Sequence, residues 1–360
     1  MDDPLLGVKF WNSMFQILEI KSQDVNGNWL GEKGLRVAEV PGSSPGGPTI
    51  NFLFFKFLHI LMKSLNVGIF HDRELGRELG KKGSETDILM FNRKKEDLIM
   101  TFMFPLKLIS KVQIMSVIDV AIVSFNEITP ELGETILLLD AIGVSKGFLL
   151  IPEQNKDIAK SMIKGTSLEN FSLIERDPIK IIQELEKIEI KRNGGAPLIV
   201  IDQAFTVKGI GTVILGFVKS GTVKKYDKFQ LLPPKKEVVV RSIQIHDKDY
   251  DQAEVGTRIG VALKGVEADE IKRGFILCEN GEVSNDFDLH FNKNKFYPEI
   301  KNGPYHMVVG MQSSPIEVLK IDENLISLKS ERAIACTGED KFVLLDLNAR
   351  KLHFIGIGEK

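Results

Sequence analysis

Ile201-Asp202-Gln203-Ala204-Phe205-Thr206-Val207-Lys208-Gly209-Ile210-Gly211-Thr212-Val213-Ile214-Leu215-Gly216-Phe217-Val218 is the stretch whose reading decides the fold. Two runs rich in β-branched and aromatic residues flank a Gly-Ile-Gly turn, the pattern of a β-hairpin. Downstream, Ser220-Gly221, the run Lys228–Leu232, the Pro233-Pro234 break and the alternating run Val238–His246 keep the same rhythm of strand and turn. Gly256–Gly265 and Arg273–Leu277 complete it. Short strands at this spacing predict a small closed antiparallel barrel.

In spacing and residue choice, Ile201–Cys278 resembles domain two of elongation factor Tu, and still more that of the selenocysteine-specific elongation factor. The resemblance implies a GTPase-type domain before this barrel and a further barrel after it. The expected fold is α/β plus all-β. A degenerate P-loop GTPase-like domain spans 62–192, the elongation-factor-type barrel spans 196–280, and a third domain, again a β-barrel, spans 284–360.

Leu65–Phe70 is the expected first strand of the α/β domain, and a phosphate loop of the form G-x-x-x-x-G-K-[ST] should follow it. The eight positions read His71-Asp72-Arg73-Glu74-Leu75-Gly76-Arg77-Glu78. Only Gly76 matches. His71 replaces the glycine that lets the chain curl around phosphate, Arg77 replaces the lysine, and Glu78 puts a carboxylate where the hydroxyl that holds Mg²⁺ belongs. Asp72, Glu74 and Glu78 would repel a polyphosphate. Met103-Phe104-Pro105-Leu106 stands in place of the family's D-x-P-G switch, and Pro152-Glu153-Gln154-Asn155 in place of N-K-x-D. These residues predict a domain with no nucleotide site and no cofactor; GTP and Mg²⁺ enter only if Arg77 substitutes for the lysine.

In the family the aminoacyl end of tRNA lies between the GTPase domain and domain two. The resemblance therefore points to Asp202, Gln203 and Phe205 on the first barrel strand and to Arg258 after Gly256 as candidates for an RNA end. The selenocysteine factor favours an Asp-Arg pair at the first place; here Gln203 replaces that arginine. Asp202 and Arg258 read equally as a surface ion pair between adjacent loops, worth little. Forty-seven basic residues against 49 acidic ones leave a net charge of -2, so any RNA contact must come from a local patch. Lys224-Lys225-Lys228 with Lys235-Lys236-Arg241 is one such run; Lys81-Lys82 with Arg93-Lys94-Lys95 is another. Charge runs of this kind are also ordinary solvated faces.

Seven short runs predict the third domain's barrel: 295–297, 305–312, 316–321, 325–328, 333–337, 342–347 and 351–357. Cys278 and Cys336 suit a reducing, cytoplasmic setting and offer neither disulfide framework nor zinc spacing, and the six histidines add no ligand pattern. No catalytic constellation is recognisable. The expected function is an elongation-factor-like translation protein that binds tRNA or another RNA without GTP hydrolysis, with the ribosome as a further candidate partner. The alternatives are a translation GTPase with an atypical loop and a protein-interaction platform in translation or ribosome assembly. Neither membrane nor DNA is an expected partner.

The first 61 residues stand apart. Pro41-Gly42-Ser43-Ser44-Pro45-Gly46 can be encoded by CCG-GGT-TCA-AGT-CCC-GG, a T-loop consensus with complementary flanks, so this stretch reads as translation through an upstream tRNA gene with the start at Met62, or else as an irregular extension. The apolar run 50–62 is shorter than the ~20 residues that span a bilayer and is interrupted by Lys56 and His59.

Overall fold

The computed structural model describes residues 63–192 and 194–360; the reading of residues 1–61 lies outside them. The α/β domain is built on one mixed sheet. Strand β1 (Lys63–Phe70) is apolar and buried along most of its length, which suits a strand covered on both faces. It runs parallel to β4 (Leu98–Pro105) on one side and β5 (Val120–Ser124) on the other. Beyond β5 come β6 (Gly147–Leu150) and β7 (Ser172–Leu173), both parallel. Beyond β4 an antiparallel hairpin, β2 (Lys81–Glu85) and β3 (Ile88–Lys95), gives the sheet order β2-β3-β4-β1-β5-β6-β7.

The helices begin and end where their caps dictate. Helix α1 (Arg73–Leu79) starts at Asp72, whose carboxylate accepts the Leu75 N–H. Helix α2 (Leu108–Met115) follows β4. Helix α3 (Pro130–Ile142) has Thr129 as its cap and Pro130 in its first turn, and it stops at Gly143, whose φ of 86° is a left-handed ending that glycine adopts without strain. Helices α4 (Lys156–Ile163) and α5 (Pro178–Glu186) complete the layer.

The first barrel contains β8 (Leu198–Val207), β9 (Gly211–Ser220), β11 (Lys228–Leu232), β12 (Lys236–Ile245), β15 (Arg258–Lys264) and β16 (Ile276–Cys278). Pairing of β11 with β12 closes it. Short strands β10 (Thr222–Lys224) and β14 (Gln252–Glu254) pair beside it, and β13 (Lys248–Tyr250) extends β12. The second barrel follows the order β17-β20-β19-β18-β21-β22 and closes through β17 and β22. Its strands are β17 (Glu282–Lys293), β18 (Gly303–Val309), β19 (Gln312–Asp322), β20 (Leu325–Cys336), β21 (Phe342–Leu345) and β22 (Phe354–Glu359).

Six strands replace the seven expected in this last domain. Residues 295–297 form a turn, not a strand, and the stretch before them is β17, whose Phe287, Leu289 and Phe291 face inward. The runs at 325–328 and 333–337 are two halves of β20, continuous through the polar segment Lys329–Arg332.

One apolar cluster joins the domains. Val112 and Ile136 of the helices pack in the same buried set as Phe217 of the first barrel and Val308, Met311 and Phe354 of the second. Polar contacts fix the docking. Gln113 donates to the Met311 carbonyl at 2.7 Å, and Lys341 donates to the Ala141 and Ile142 carbonyls at the end of α3, at 3.2 and 3.1 Å. A cation there also meets the negative end of the helix dipole.

Candidate functional site

Only His71 and Asp72 separate β1 from α1, so the eight positions set against a phosphate loop form no loop: Arg73–Glu78 lie inside the helix. Gly76 is buried against Phe91, and a Cβ there would lie 2.6 Å from that ring. It is a packing glycine, not one that admits phosphate. Arg77 points to solvent and pairs with Glu74 at 3.0 Å.

The carboxylates are occupied from within the chain. Arg176, in the loop between β7 and α5, reaches Asp72 with Nε at 2.6 Å and Nη2 at 3.2 Å. The same guanidinium donates to Glu78 at 3.1 and 3.0 Å. These hydrogen bonds to the two carboxylates hold its pKa above the usual arginine range. A guanidinium spread over two carboxylates therefore sits at the start of α1, where Asp72 already caps the Leu75 N–H and the two carboxylates disfavour a polyphosphate.

His71 completes the closure. Its φ of 64° is in the left-handed region, and its Nε2 lies 2.8 Å from the Thr135 hydroxyl. That hydroxyl donates to the Glu131 carbonyl at 2.7 Å and accepts from Lys111 at 3.0 Å, so the network assigns the proton to His71 Nε2. Burial, then the nearby Lys111 charge, push the His71 pKa from 6.5 down to about 4. Between these values the unfolded chain takes up a proton that the folded one refuses. Stability from this site is fully present above pH 6.5 and is lost as pH falls through about 4, by up to about 3 kcal/mol. His71→Asn, which tolerates the same backbone and can still donate to Thr135, is expected to flatten that part of the curve. Urea midpoints between pH 7 and pH 4 check this, and equal slopes for the two proteins would refute it.

The other two nucleotide positions are structural. Met103-Phe104-Pro105 ends β4, after which the Leu106 N–H donates to the Asp87 carbonyl at 2.8 Å. Pro152–Asn155 is a tight turn in which the Asn155 amide donates to the Phe125 carbonyl at 2.6 Å.

On the first barrel, Asp202 and Arg258 do meet. A register shift between Ile201 and Gln203 turns Asp202 inward, where its carboxylate lies 3.7 Å from Arg258 and 3.2 Å from Arg273. Burial pushes the Asp202 carboxyl up, and the two guanidiniums pull the other way. The cluster is covered by the turn between β2 and β3. Arg258 donates to the Ser84 hydroxyl at 3.2 Å, and Arg273 donates to the Thr86 hydroxyl at 3.0 Å and the Asp87 carboxylate at 2.5 Å. The pair is thus a buried junction between two domains, not a surface ion pair, and the hairpin occupies the side on which the RNA end was expected. Both carboxylate oxygens of Asp202, Gln203 Nε2 and Arg258 Nε lack hydrogen-bond partners, while Phe205 stands 40% exposed beside them.

Most of the expected basic patch is paired. Lys225 binds Asp251 at 2.9 Å, Lys228 lies 3.7 Å from Glu237, Lys236 pairs with Glu270, and Arg241 donates to the Ile210 carbonyl at 3.1 Å. Lys224 is exposed without an ion pair among the described residues. On the α/β domain, Lys82 pairs with Glu85, Lys95 with Glu186 at 2.7 Å, and Arg93 donates to the Leu79 carbonyl at 2.6 Å. No group of His, Cys, Asp and Glu among the described residues is arranged to hold a metal ion, and no helix among them is long and apolar enough to cross a membrane.

Sequence reasoning missed four residues that organise these contacts: Arg176, Arg273, Arg192 and Glu134. Arg192 follows α5 and donates to the Val255 carbonyl at 2.9 Å, the Ser64 carbonyl at 2.6 Å and Asp119 at 2.7 Å. Glu134 of α3 accepts the backbone N–H groups of His353 and Phe354 at 2.6 and 2.8 Å. Only Arg273 carried a local signal, as the first residue of the run before β16.

A mixed α/β domain docked on two closed six-stranded barrels is the architecture of a translation elongation factor. The family model for elongation factor Tu domain 2 matches residues 211–278. A Methanocaldococcus jannaschii protein described as uncharacterized is 40% identical over 309 residues, which cover 83% of this chain and 100% of that protein. The selenocysteine-specific elongation factor of the same organism is 33% identical over 159 residues, 42% of this chain and 33% of that one. Among solved structures, the translation elongation factor SelB of Methanococcus maripaludis in its apo form superposes with a TM-score of 0.70 at 23% identity, over 83% of this chain and 80% of SelB. The chain is a paralogue within the elongation factor Tu and selenocysteine-specific elongation factor family.

Proposed function

We propose that this elongation-factor-like translation protein binds tRNA or another RNA through its barrels and neither binds nor hydrolyses GTP. The observation that carries the second half is the Arg176 guanidinium held between Asp72 and Glu78 at 2.6–3.2 Å, together with a β1–α1 connection of two residues. Phosphate binding at a strand–helix junction needs free backbone N–H groups and a favourable field; here a cap, a packed glycine and a satisfied ion cluster stand instead. RNA binding is supported by kinship with a selenocysteine-specific elongation factor and by the retained Asp202 and Arg258. Phe205 would form the accessible rim beside the buried pair, next to the half-buried Gln203.

Docking of the domains needs no nucleotide in this reading, because direct side-chain contacts supply it. The test is binding of bulk aminoacyl-tRNA to the full chain across a salt series, with and without GTP. Affinity is expected to fall steeply with salt, as phosphate neutralisation requires, and to be indifferent to GTP. Dependence on GTP would favour an atypical GTPase, and no binding at any salt would favour a protein-interaction platform.

A further inference from the structure

The chain Lys224-Lys225-Tyr226-Asp227-Lys228 links β10 to β11. Tyr226 is 77% exposed, more than any other large hydrophobic side chain among the described residues. Its φ is 71°, in the left-handed region where glycine is at ease and an aromatic residue costs about 1 kcal/mol or more. Nothing in the packing repays that, since the ring stands in solvent.

The turn beneath it is rigid. The Asp227 N–H donates to the Lys224 carbonyl at 3.2 Å, and the Asp227 carboxylate accepts the Lys224 N–H at 2.7 Å. The Tyr226 N–H donates to the Val240 carbonyl at 2.8 Å, and the Lys225 N–H to the Asp251 carbonyl at 2.9 Å. The ring is therefore held out on a fixed backbone, so little ordering remains to be done on binding.

Charge selects the partner. Lys224 and Lys228 flank the ring and are exposed. Of the nearby carboxylates, Asp227 is engaged by the turn, Asp251 by Lys225, and Asp249 by the Gln244 amide at 3.0 Å. Glu237 lies 3.7 Å from Lys228 in a pair whose side chains are 69–70% exposed, a contact that contributes little and yields readily to phosphate. We propose that Tyr226 is a stacking platform for an unpaired RNA base, with Lys224 and Lys228 receiving the neighbouring phosphates. The site rests on the RNA-binding reading above and gives it an anchor apart from the buried Asp202 cluster.

The experiment measures anisotropy of three labelled probes with the full chain: a single-stranded RNA of about a dozen nucleotides, bulk aminoacyl-tRNA and ribosomal RNA. Tyr226→Gly relieves the backbone and should leave thermal stability unchanged or raised, yet weaken binding of at least one probe about tenfold, within the range known for a lost base–aromatic stack. Tyr226→Phe should bind as the parent does. Lys224→Ala with Lys228→Ala should lower the salt slope for that probe by about 1 to 2. The probe that responds distinguishes a tRNA from a ribosomal source. Tyr226→Gly binding all three probes as tightly as the parent overturns this site alone. A parent protein that binds no RNA overturns the site together with the proposed function.

Discussion

Arg192→Ala is expected to cost about 3 kcal/mol, the lower end of the range for removing one partner of a buried ion pair, because the two side chains are 15% and 14% exposed. Asp119 is the partner left behind. Burial already pushes its carboxyl up against the pull of Arg192, and without the guanidinium its charge is left with only the Asn66 N–H and the nearby Lys219, or it takes a proton. The same substitution strips the Ser64 and Val255 carbonyls of their donor, so the start of β1 and the loop before β15 lose their shared clamp. Gly256 belongs to this clamp: its φ is 83°, and a Cβ there would fall 0.4 Å from Arg192 Nη1. Gly256→Ala should therefore be strongly destabilising by itself and less so once Arg192 is alanine, when only the left-handed backbone still costs about 1–2 kcal/mol. Denaturant unfolding of the two single variants and the double gives the cycle; additive losses would show that the clamp does not couple the domains.

Glu134→Ala is the second large effect. The residue is 3% exposed, and one of its oxygens accepts both the His353 and Phe354 N–H groups. Alanine leaves two backbone donors unsatisfied and Lys111 short of an opposing charge, a loss of about 3 kcal/mol or more. Glu134→Gln keeps an acceptor oxygen and should cost about 1 kcal/mol. Urea unfolding separates the two substitutions, and limited proteolysis around β22 should register the alanine variant first. Equal stabilities for alanine and glutamine would mean that these hydrogen bonds do not hold the last barrel to α3.

The first barrel was legible because its strands alternate and its turns are marked by glycine at 209, 211, 221 and 256, all of which have positive φ. The last barrel was half legible. Strand β17 hides Phe287, Leu289 and Phe291 among Asp286, Asp288 and His290, and the polar middle of β20 looks like a break when the chain is read alone. Loss of the nucleotide residues was legible; what fills the space was not. Arg176 meets Asp72 across 104 positions and Glu78 across 98, and no local pattern announces a contact of that range. The nearness of Asp202 and Arg258 was legible, but their burial under the covering hairpin was not. Residues 81–85 are almost wholly polar, and only pairing with β3 makes them a strand.

In the proposed function, this translation factor fold has no place for a nucleotide. Calorimetric titration of the full chain with GTP and with GDP in the presence of Mg²⁺ tests this most directly. The arrangement of Arg176, Asp72 and Glu78 predicts no saturable heat up to about 1 mM nucleotide, that is, binding weaker than about -4 kcal/mol. Saturable binding at micromolar concentration or tighter would contradict it and restore a nucleotide switch to this protein.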